Sequence, residues 1–114
     1  MTMTLAIYGI KACDSMKKAF TRLDTAGVAY DFHDFKKAAP SPELVRGWLA
    51  AVGADTLVNR RGTTWRQLDA DSLAQAADPE GLVALIVSKP SLIKRPLLSD
   101  GHQVSVGLDS PLLP

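Results

Sequence analysis

Cys13 is the single cysteine of this 114-residue chain, and it stands where an apolar run gives way to a helical pattern. Residues 4–9 are β-prone and end in glycine, whereas from Asp14 onward apolar residues recur at helical spacing. The unpaired amide groups and the positive dipole end at a helix start both favour a thiolate over a thiol. We therefore predict that the pKa of Cys13 is lowered and that its sulfur is a nucleophile.

Polar neighbours support this interpretation of the cysteine. Lys11, Lys17 and Lys18 are close to it in sequence, and a positive charge near a thiol also lowers its pKa. The alternative is that a lone cysteine is a small buried apolar residue, as many single cysteines are. The loop setting and the predicted helix start favour the reactive interpretation.

Three arginines are candidate anion-binding residues. Arg60 and Arg61 are adjacent and precede a glycine, and Arg95 precedes Pro96. A guanidinium group is always charged and offers a planar fork of donors, which suits an oxyanion or a carboxylate. The alternative for the adjacent pair is a solvated loop surface that holds no ligand.

The composition is that of a globular protein without a charge excess. Apolar residues make up 46% and charged residues 22%, and 13 basic against 12 acidic residues give a net charge of +1. This balance gives no general electrostatic basis for binding nucleic acid or an anionic membrane, so we expect neither as a partner. We find neither a run of about 18 apolar residues nor a secretory signal, and we expect a cytoplasmic protein.

Cysteine and histidine usage excludes two further kinds of site. One cysteine cannot form an internal disulfide, which agrees with a reducing compartment. Cys13, His33 and His102 are scattered without the spacing of metal ligands, so we predict no metal.

The hydrophobic pattern predicts the element order β-α-β, a helical block and then β-β. Ser41 is a predicted N-cap with Pro42 at the first helical position, and the turn at 100–101 predicts a hairpin. A mixed sheet of about four strands flanked by helices, an α/β fold, follows from this order. The predicted elements are a strand at 4–9, a helix at 14–26, a strand at 28–35, a helix from 42 to 52, a short helix after the basic loop within 59–69, two helical pieces within 71–89 and a hairpin at 95–107.

The stretch IYGIKACDSMKKA, residues 7–19, resembles the active-site signature of the arsenate-reductase-like family. This family includes glutaredoxin-dependent arsenate reductases, the Spx regulators and a small bacterial group called YffB. The resemblance covers nearly the whole chain and is greatest to the YffB group. Its further motifs follow in the family's order: NRRGTTWRQL at 59–68, PSLIKRPLL at 90–98 and VGL at 106–108.

The resemblance implies a fold and a set of site residues. The fold is thioredoxin-like, a single domain over residues 1–114 with a helical insert at about 41–89. Arginines at two places surround the reactive cysteine of the family. Arg95 matches one of these places, and for the other the RGTT context favours Arg61 while Arg60 stays open. The fold also implies a cis bond before Pro96, which turns the Arg95 backbone toward the thiolate, where it can pair with a bound peptide or glutathione.

Three positions depart from the family pattern. Gly9 stands where arsenate reductases carry a histidine, four positions before the cysteine, and the segment VSVGL at 104–108 lacks their late arginine. Met16 stands where Spx regulators carry the second cysteine of a C-x-x-C pair. The sequence therefore disfavours arsenate as the substrate and excludes a dithiol switch contained within the chain.

A single thiol can attack a disulfide but needs a second thiol to resolve the mixed disulfide. We therefore predict a glutathione-dependent thiol reductase with glutathione as co-substrate or a glutaredoxin-type thiol donor, acting on a small-molecule or protein thiol substrate. Cys13 is the predicted nucleophile, Lys11 contributes to the local field, and the other predicted binding residues are Arg95, Arg61, Arg60 and Pro96. The alternatives are an Spx-like regulator that binds RNA polymerase and an arsenate reductase with altered oxyanion ligands.

Overall fold

The structure, a computed structural model, describes residues 4–114 and contains every predicted element. Two short elements were not predicted, a one-turn helix at Ala54–Leu57 and a 3-10 turn at Pro90–Leu92, because neither is long enough to produce a periodic pattern. The elements in chain order are β1 Leu5–Gly9, α1 Asp14–Thr25, β2 Tyr30–Asp34, α2 Pro42–Val52, α3 Ala54–Leu57, α4 Thr63–Arg66, α5 Ala70–Ala76, α6 Pro79–Ser88, the 3-10 turn Pro90–Leu92, β3 Leu97–Ser99 and β4 Val104–Val106.

The chain forms two compact units. The first comprises residues 4–38 and 94–114, and it contains the four strands and α1. The second comprises residues 39–93 and contains α2 to α6 and the 3-10 turn.

The first unit is built on a four-stranded mixed sheet with the order β2-β1-β3-β4. β1 runs parallel to β2, and α1 makes the crossover that a parallel connection requires. β3 is antiparallel to both β1 and β4, with the predicted hairpin turn between β3 and β4. The mixed four-stranded α/β sheet and the thioredoxin-like fold that the sequence predicted are confirmed.

The core of this unit lies between β1 and α1. Leu5 and Ile7 alternate along β1 toward the helix, as the period of a strand dictates. Met16, Ala19 and Leu23 recur on α1 at helical spacing and pack against them, each fully buried. Leu98 of β3 and Leu113 close the cluster.

Three helices of the second unit, α2, α5 and α6, begin at side-chain caps. The Ser41 hydroxyl accepts a hydrogen bond from the Leu44 amide, and Pro42 opens α2, as predicted. Asp69 and Asp78 cap α5 and α6 in the same way. Across the described residues, each helix falls short of the length and apolarity needed to cross a membrane.

Candidate active site

Cys13 is the N-cap residue of α1 and is only partly buried. Its backbone is extended, its amide donates to the Ile10 carbonyl, and its carbonyl accepts the Lys17 amide as the first bond of the helix. The side chain packs against the edge of the core, with part of its surface open to solvent. The sulfur therefore lies at the helix start, as the sequence predicted, and remains accessible.

Hydrogen bonds set the ionisation of this sulfur. Partial burial raises the pKa of Cys13, but a hydrogen bond with the Ser15 hydroxyl and one from Arg95 outweigh it, and the pKa falls to about 7. The Sγ atom of Cys13 lies 3.1 Å from Ser15 Oγ. The backbone amides of Ser15 and Met16 lower the pKa further. The Cys13 side chain accepts no capping hydrogen bond from these amides, which therefore act on it as nearby dipoles. Near neutral pH, about half of the sulfur is thiolate.

The neighbouring lysines do not explain this lowered pKa, contrary to the sequence interpretation. Lys11, Lys17 and Lys18 are exposed, and the groups that lower the pKa of Cys13 are Ser15, Arg95 and the two amides. An ammonium group on a flexible solvated stem is screened by water, whereas a hydrogen bond acts at contact. Lys11 as a binding residue stays a prediction.

The pairing of β1 with β3 brings Arg95 and Pro96 to the cysteine. β1 ends shortly before Cys13, and its Tyr8 pairs with Leu97 at the start of the antiparallel β3. The residues before Leu97 therefore meet the same end of the sheet as Cys13. Arg95 is partly buried with its Nε atom inaccessible, and Pro96 is fully buried. The Arg95–Pro96 bond is cis, which confirms the prediction from the resemblance.

Arg60 and Arg61 lie in the second unit and differ in their contacts. The Arg60 guanidinium forms an ion pair with Asp55 and lies over the Trp65 ring, 5.5 Å from its centroid. Arg61 is exposed, and its backbone amide donates to Asn59 Oδ1. Within residues 4–114, no ion pair engages the Arg61 guanidinium. Of the two, Arg61 is the one whose guanidinium is not already held by protein groups.

The histidines have contacts of their own. His33 stacks on the Tyr8 ring with 4.5 Å between centroids, and the His102 amide donates to Asp100 in the hairpin turn. In the part of the chain that the structure describes, no three side chains of His, Cys, Asp or Glu come together in a way that could hold a metal ion.

Comparison with known proteins identifies the family. The model of the ArsC family matches residues 8–111, from the end of β1 to beyond β4. This chain belongs to the ArsC family. The resemblance read from its motifs is thereby confirmed.

Two solved structures and one further protein are similar to this chain over most of its length. The YffB protein is 49% identical with a TM-score of 0.83, covering 91% of this chain and 90% of that one. An arsenate reductase (ArsC) related protein from Brucella melitensis is 39% identical with a TM-score of 0.76, covering 97% and 91%. An uncharacterized protein of Haemophilus influenzae is 30% identical over 105 residues, covering 92% and 91%.

Two of the positions that depart from the ArsC-family pattern are packed against each other. A Cβ atom on Gly9 would come too close to the sulfur of Met16 in its present position, so the methionine side chain would have to shift to admit one. Met16 is itself fully buried beside Cys13 in the first turn of α1. The methionine thus fills the space that a side chain at position 9 would occupy, so the two departures from the family pattern are in direct contact.

Ser15 is the site residue that the sequence interpretation missed. Its hydroxyl contacts the Cys13 sulfur, yet a serine in the first turn of a helix is common and carries no motif of its own. The available signal was its spacing, because a hydroxyl two residues after an N-cap can reach back to the cap side chain.

Proposed function

We propose that this ArsC-family chain is a glutathione-dependent thiol reductase whose nucleophile is Cys13. The observation that carries the proposal is an accessible thiol at a helix start, held by Ser15 and Arg95 with its pKa lowered to about 7. A thiol with this pKa combines a substantial thiolate fraction with high nucleophilicity at the pH of the cytoplasm, which is the compartment we propose.

The proposed reaction has two exchange steps. The Cys13 thiolate attacks the glutathione sulfur of a mixed disulfide between glutathione and a substrate thiol. The sulfur–sulfur bond breaks, its electron pair leaves on the substrate sulfur, and that thiolate takes a proton from water. A second glutathione, as thiolate, then attacks the glutathione sulfur bound to Cys13 and leaves as oxidised glutathione, which regenerates the Cys13 thiolate. The net result is one mixed disulfide and one glutathione converted into one free thiol and one oxidised glutathione.

The second thiol comes from outside the chain in this proposal. Cys13 is the single cysteine, and the position three residues later, where a resolving thiol would stand, holds the buried Met16. Glutathione is the thiol we propose, either free or through a glutaredoxin-type donor. The substrate is a small-molecule or protein thiol in mixed-disulfide form.

The binding residues have distinct proposed roles. Arg95 stabilises the thiolate form of Cys13 and holds an anionic group of the bound glutathione. Pro96 follows Arg95 and shapes the backbone at this edge of the site. The assignment of a second anion-binding arginine depends on the family resemblance. Arg61 is our choice because Arg60 is already paired with Asp55. Lys11 contributes positive field in the exposed turn before the cysteine.

An adduct experiment tests the proposal. The purified chain is mixed with oxidised glutathione and its intact mass is measured, and a glutathionylated substrate is then turned over with glutathione while oxidised glutathione is followed by a coupled reductase. We expect one adduct at Cys13 and turnover, with both absent from Cys13→Ser. Turnover that persists in Cys13→Ser, or a wild-type chain that forms no adduct, rejects the proposal.

Two further arms separate the alternatives. Arsenate with glutathione and glutaredoxin is expected to give no turnover above background, because Gly9 and the 104–108 segment lack the family's additional ligands. Binding to the RNA polymerase α subunit, unchanged in Cys13→Ser, would instead favour an Spx-like regulator.

A further inference from the structure

A groove runs along the exposed side of α1, beyond the first turn that carries Cys13. Its volume is about 470 Å³, and it is lined by Lys17, Lys18, Thr21, Arg22 and Leu108. The lysine and arginine stems and Leu108 make its floor apolar, while the charged ends of the cations rise at its rim. It is therefore a surface that suits a ligand with both apolar and anionic groups.

Arg22 fixes one wall of the groove. Its guanidinium donates to the Leu108 carbonyl and, at 2.9 Å from Nε, to the main-chain oxygen of Pro114. These bonds hold the segment after β4 against α1, so that Leu108 has a defined position in the wall.

The charges around the groove are predominantly positive. Within residues 4–114, neither Lys17 nor Lys18 forms an ion pair, and Arg22 is a third cation, engaged by the Leu108 and Pro114 oxygens. Asp14 is the carboxylate on the same side of the helix, one turn before the lysines. Asp109 follows Leu108, and its carboxylate lies against the turn at Gly107. The excess of cations in this groove contrasts with the net charge of +1 for the whole chain.

The groove begins about one helical turn beyond Cys13 along α1. Lys17 is four residues after Cys13 and its amide bonds to the Cys13 carbonyl, so both lie on one side of the helix. From residue 17 to residue 22 the groove spans about 6 to 14 Å along the axis beyond Cys13, at a helical rise of about 1.5 Å per residue. An extended chain rises about 3.3 Å per residue, so about two to four residues would connect a sulfur at Cys13 with a side chain in the groove.

We propose that this groove docks an acidic segment of a protein substrate, with carboxylates about two to four residues from its glutathionylated cysteine. This inference rests on the proposed function, and it names the substrate class as acidic protein mixed disulfides. The carboxylates meet Lys17 and Lys18, and an apolar side chain between them contacts Leu108 and the lysine stems. The covalent step is the one given above, in which Cys13 takes the glutathione sulfur and the docked segment leaves as the free thiol.

Short synthetic peptides test the docking. Each carries one glutathionylated cysteine and a leucine, flanked at the stated spacing by glutamates, glutamines or lysines. Stopped-flow kinetics under excess protein give the second-order rate constant of attack by Cys13. We expect the acidic peptide to react about tenfold faster than the basic one at low salt, with the difference shrinking at high salt as screening removes it.

Charge reversal supplies the matched comparison. The double variant Lys17→Glu with Lys18→Glu is expected to reverse the order of the acidic and basic peptides. The control, Lys36→Glu with Lys37→Glu, alters the net charge equally at an exposed turn after β2 and is expected to keep the wild-type order. The rate constant for a neutral disulfide, 2-hydroxyethyl disulfide, reports changes in thiolate reactivity. The rate constant for each peptide is divided by this value.

The outcomes distinguish the two proposals. If Cys13 attacks neither the peptides nor the neutral disulfide, the thiol reductase itself fails. If the neutral disulfide reacts normally but the peptides show no charge preference, or if both double variants respond alike, the docking groove is overturned and the reductase stands. A preference that follows only Lys17 and Lys18 supports the groove.

Discussion

At the scale of single residues, the chemistry of this chain depends on how one sulfur is held. Burial opposes the thiolate of Cys13, and hydrogen bonds from Ser15 and Arg95 favour it. Hydrogen bonds to the charged form of a group stabilise that form selectively, which is why they overcome a modest desolvation cost. Ser15 acts through Cys13 and is a positioning residue.

The first prediction concerns Ser15→Ala. Loss of the hydroxyl removes the largest pKa-lowering contact of Cys13, so its pKa rises above about 7. A rise of about one unit would slow alkylation at neutral pH about fivefold, whereas the rate plateau at high pH would be preserved. The measurement is the iodoacetamide rate against pH. Ser41→Ala, which removes a helix cap in the second unit, serves as control and should leave the midpoint in place.

The second prediction concerns stability and pH. The folded-state pKa of Cys13 is depressed, so its contribution to stability is fully present above the unfolded-state pKa, about 8.5, and is lost as pH falls through the folded value of about 7. Urea midpoints of the wild type should therefore rise from about pH 6 to about pH 9 relative to those of Cys13→Ser. Parallel pH profiles for the two proteins would contradict this.

The third prediction concerns Met16→Cys. The new thiol stands three residues after Cys13 in the first turn of the helix, the spacing of redox-active pairs. We expect oxidised glutathione to give an internal disulfide in place of the stable adduct, because the new thiol resolves it. Intact mass distinguishes the two products. Met16→Leu conserves the side-chain volume and should keep the adduct, and an adduct that also persists in Met16→Cys would contradict the expectation.

At the scale of elements, α1 serves the site and the surface together. Its first turn holds the sulfur, its buried face packs on β1, and its last turn holds the segment after β4 through Arg22. One amphipathic helix thus carries the nucleophile, part of the core and the wall of the groove.

The fourth prediction concerns Arg22→Gln. The shorter amide cannot reproduce the guanidinium's bonds to the Leu108 and Pro114 main-chain oxygens, so the segment after β4 should loosen. Hydrogen exchange at the Leu113 amide, which bonds to Ser110 in this segment, should become faster. Lys18→Gln removes a charge from the same helix without such bonds and should leave this exchange unchanged. Equal exchange rates in both variants would show that the Arg22 bonds do not hold the segment after β4.

At the scale of the whole molecule, the described residues form two compact units, each with its own buried residues. A single domain with a helical insert at about 41–89 stays a prediction. A single domain of this size normally unfolds in one cooperative transition, so the statement to be tested is that both units unfold together.

The fifth prediction tests that statement with one buried isoleucine in each unit. Ile7→Ala in β1 and Ile86→Ala in α6 should each lower the free energy of unfolding by about 2–5 kcal/mol, since both side chains are fully buried. Tryptophan fluorescence reports the second unit, which contains Trp48 and Trp65, and hydrogen exchange at the β1 amides in increasing denaturant reports the first. Coincident transitions that shift together indicate one domain, and separate midpoints refute it.

The sequence alone determined the order of elements, the mixed sheet, the family and the helix-start position of Cys13. These features depend on local signals: hydrophobic period, caps such as Ser41, the turn at 100–101 and motifs contiguous in the chain. The two elements it missed, α3 and the 3-10 turn, are too short to carry a period.

Tertiary structure alone decided the contacts between residues far apart in the chain. The pairing of β1 with β3 sets Arg95 against a sulfur more than eighty residues earlier, a contact that the sequence indicated only through the family resemblance, and Met16 packs against Gly9. The groove beside α1 depends equally on Leu108, which Arg22 holds from a distant part of the chain. Local sequence patterns do not predict such contacts, because strand register and close packing determine them.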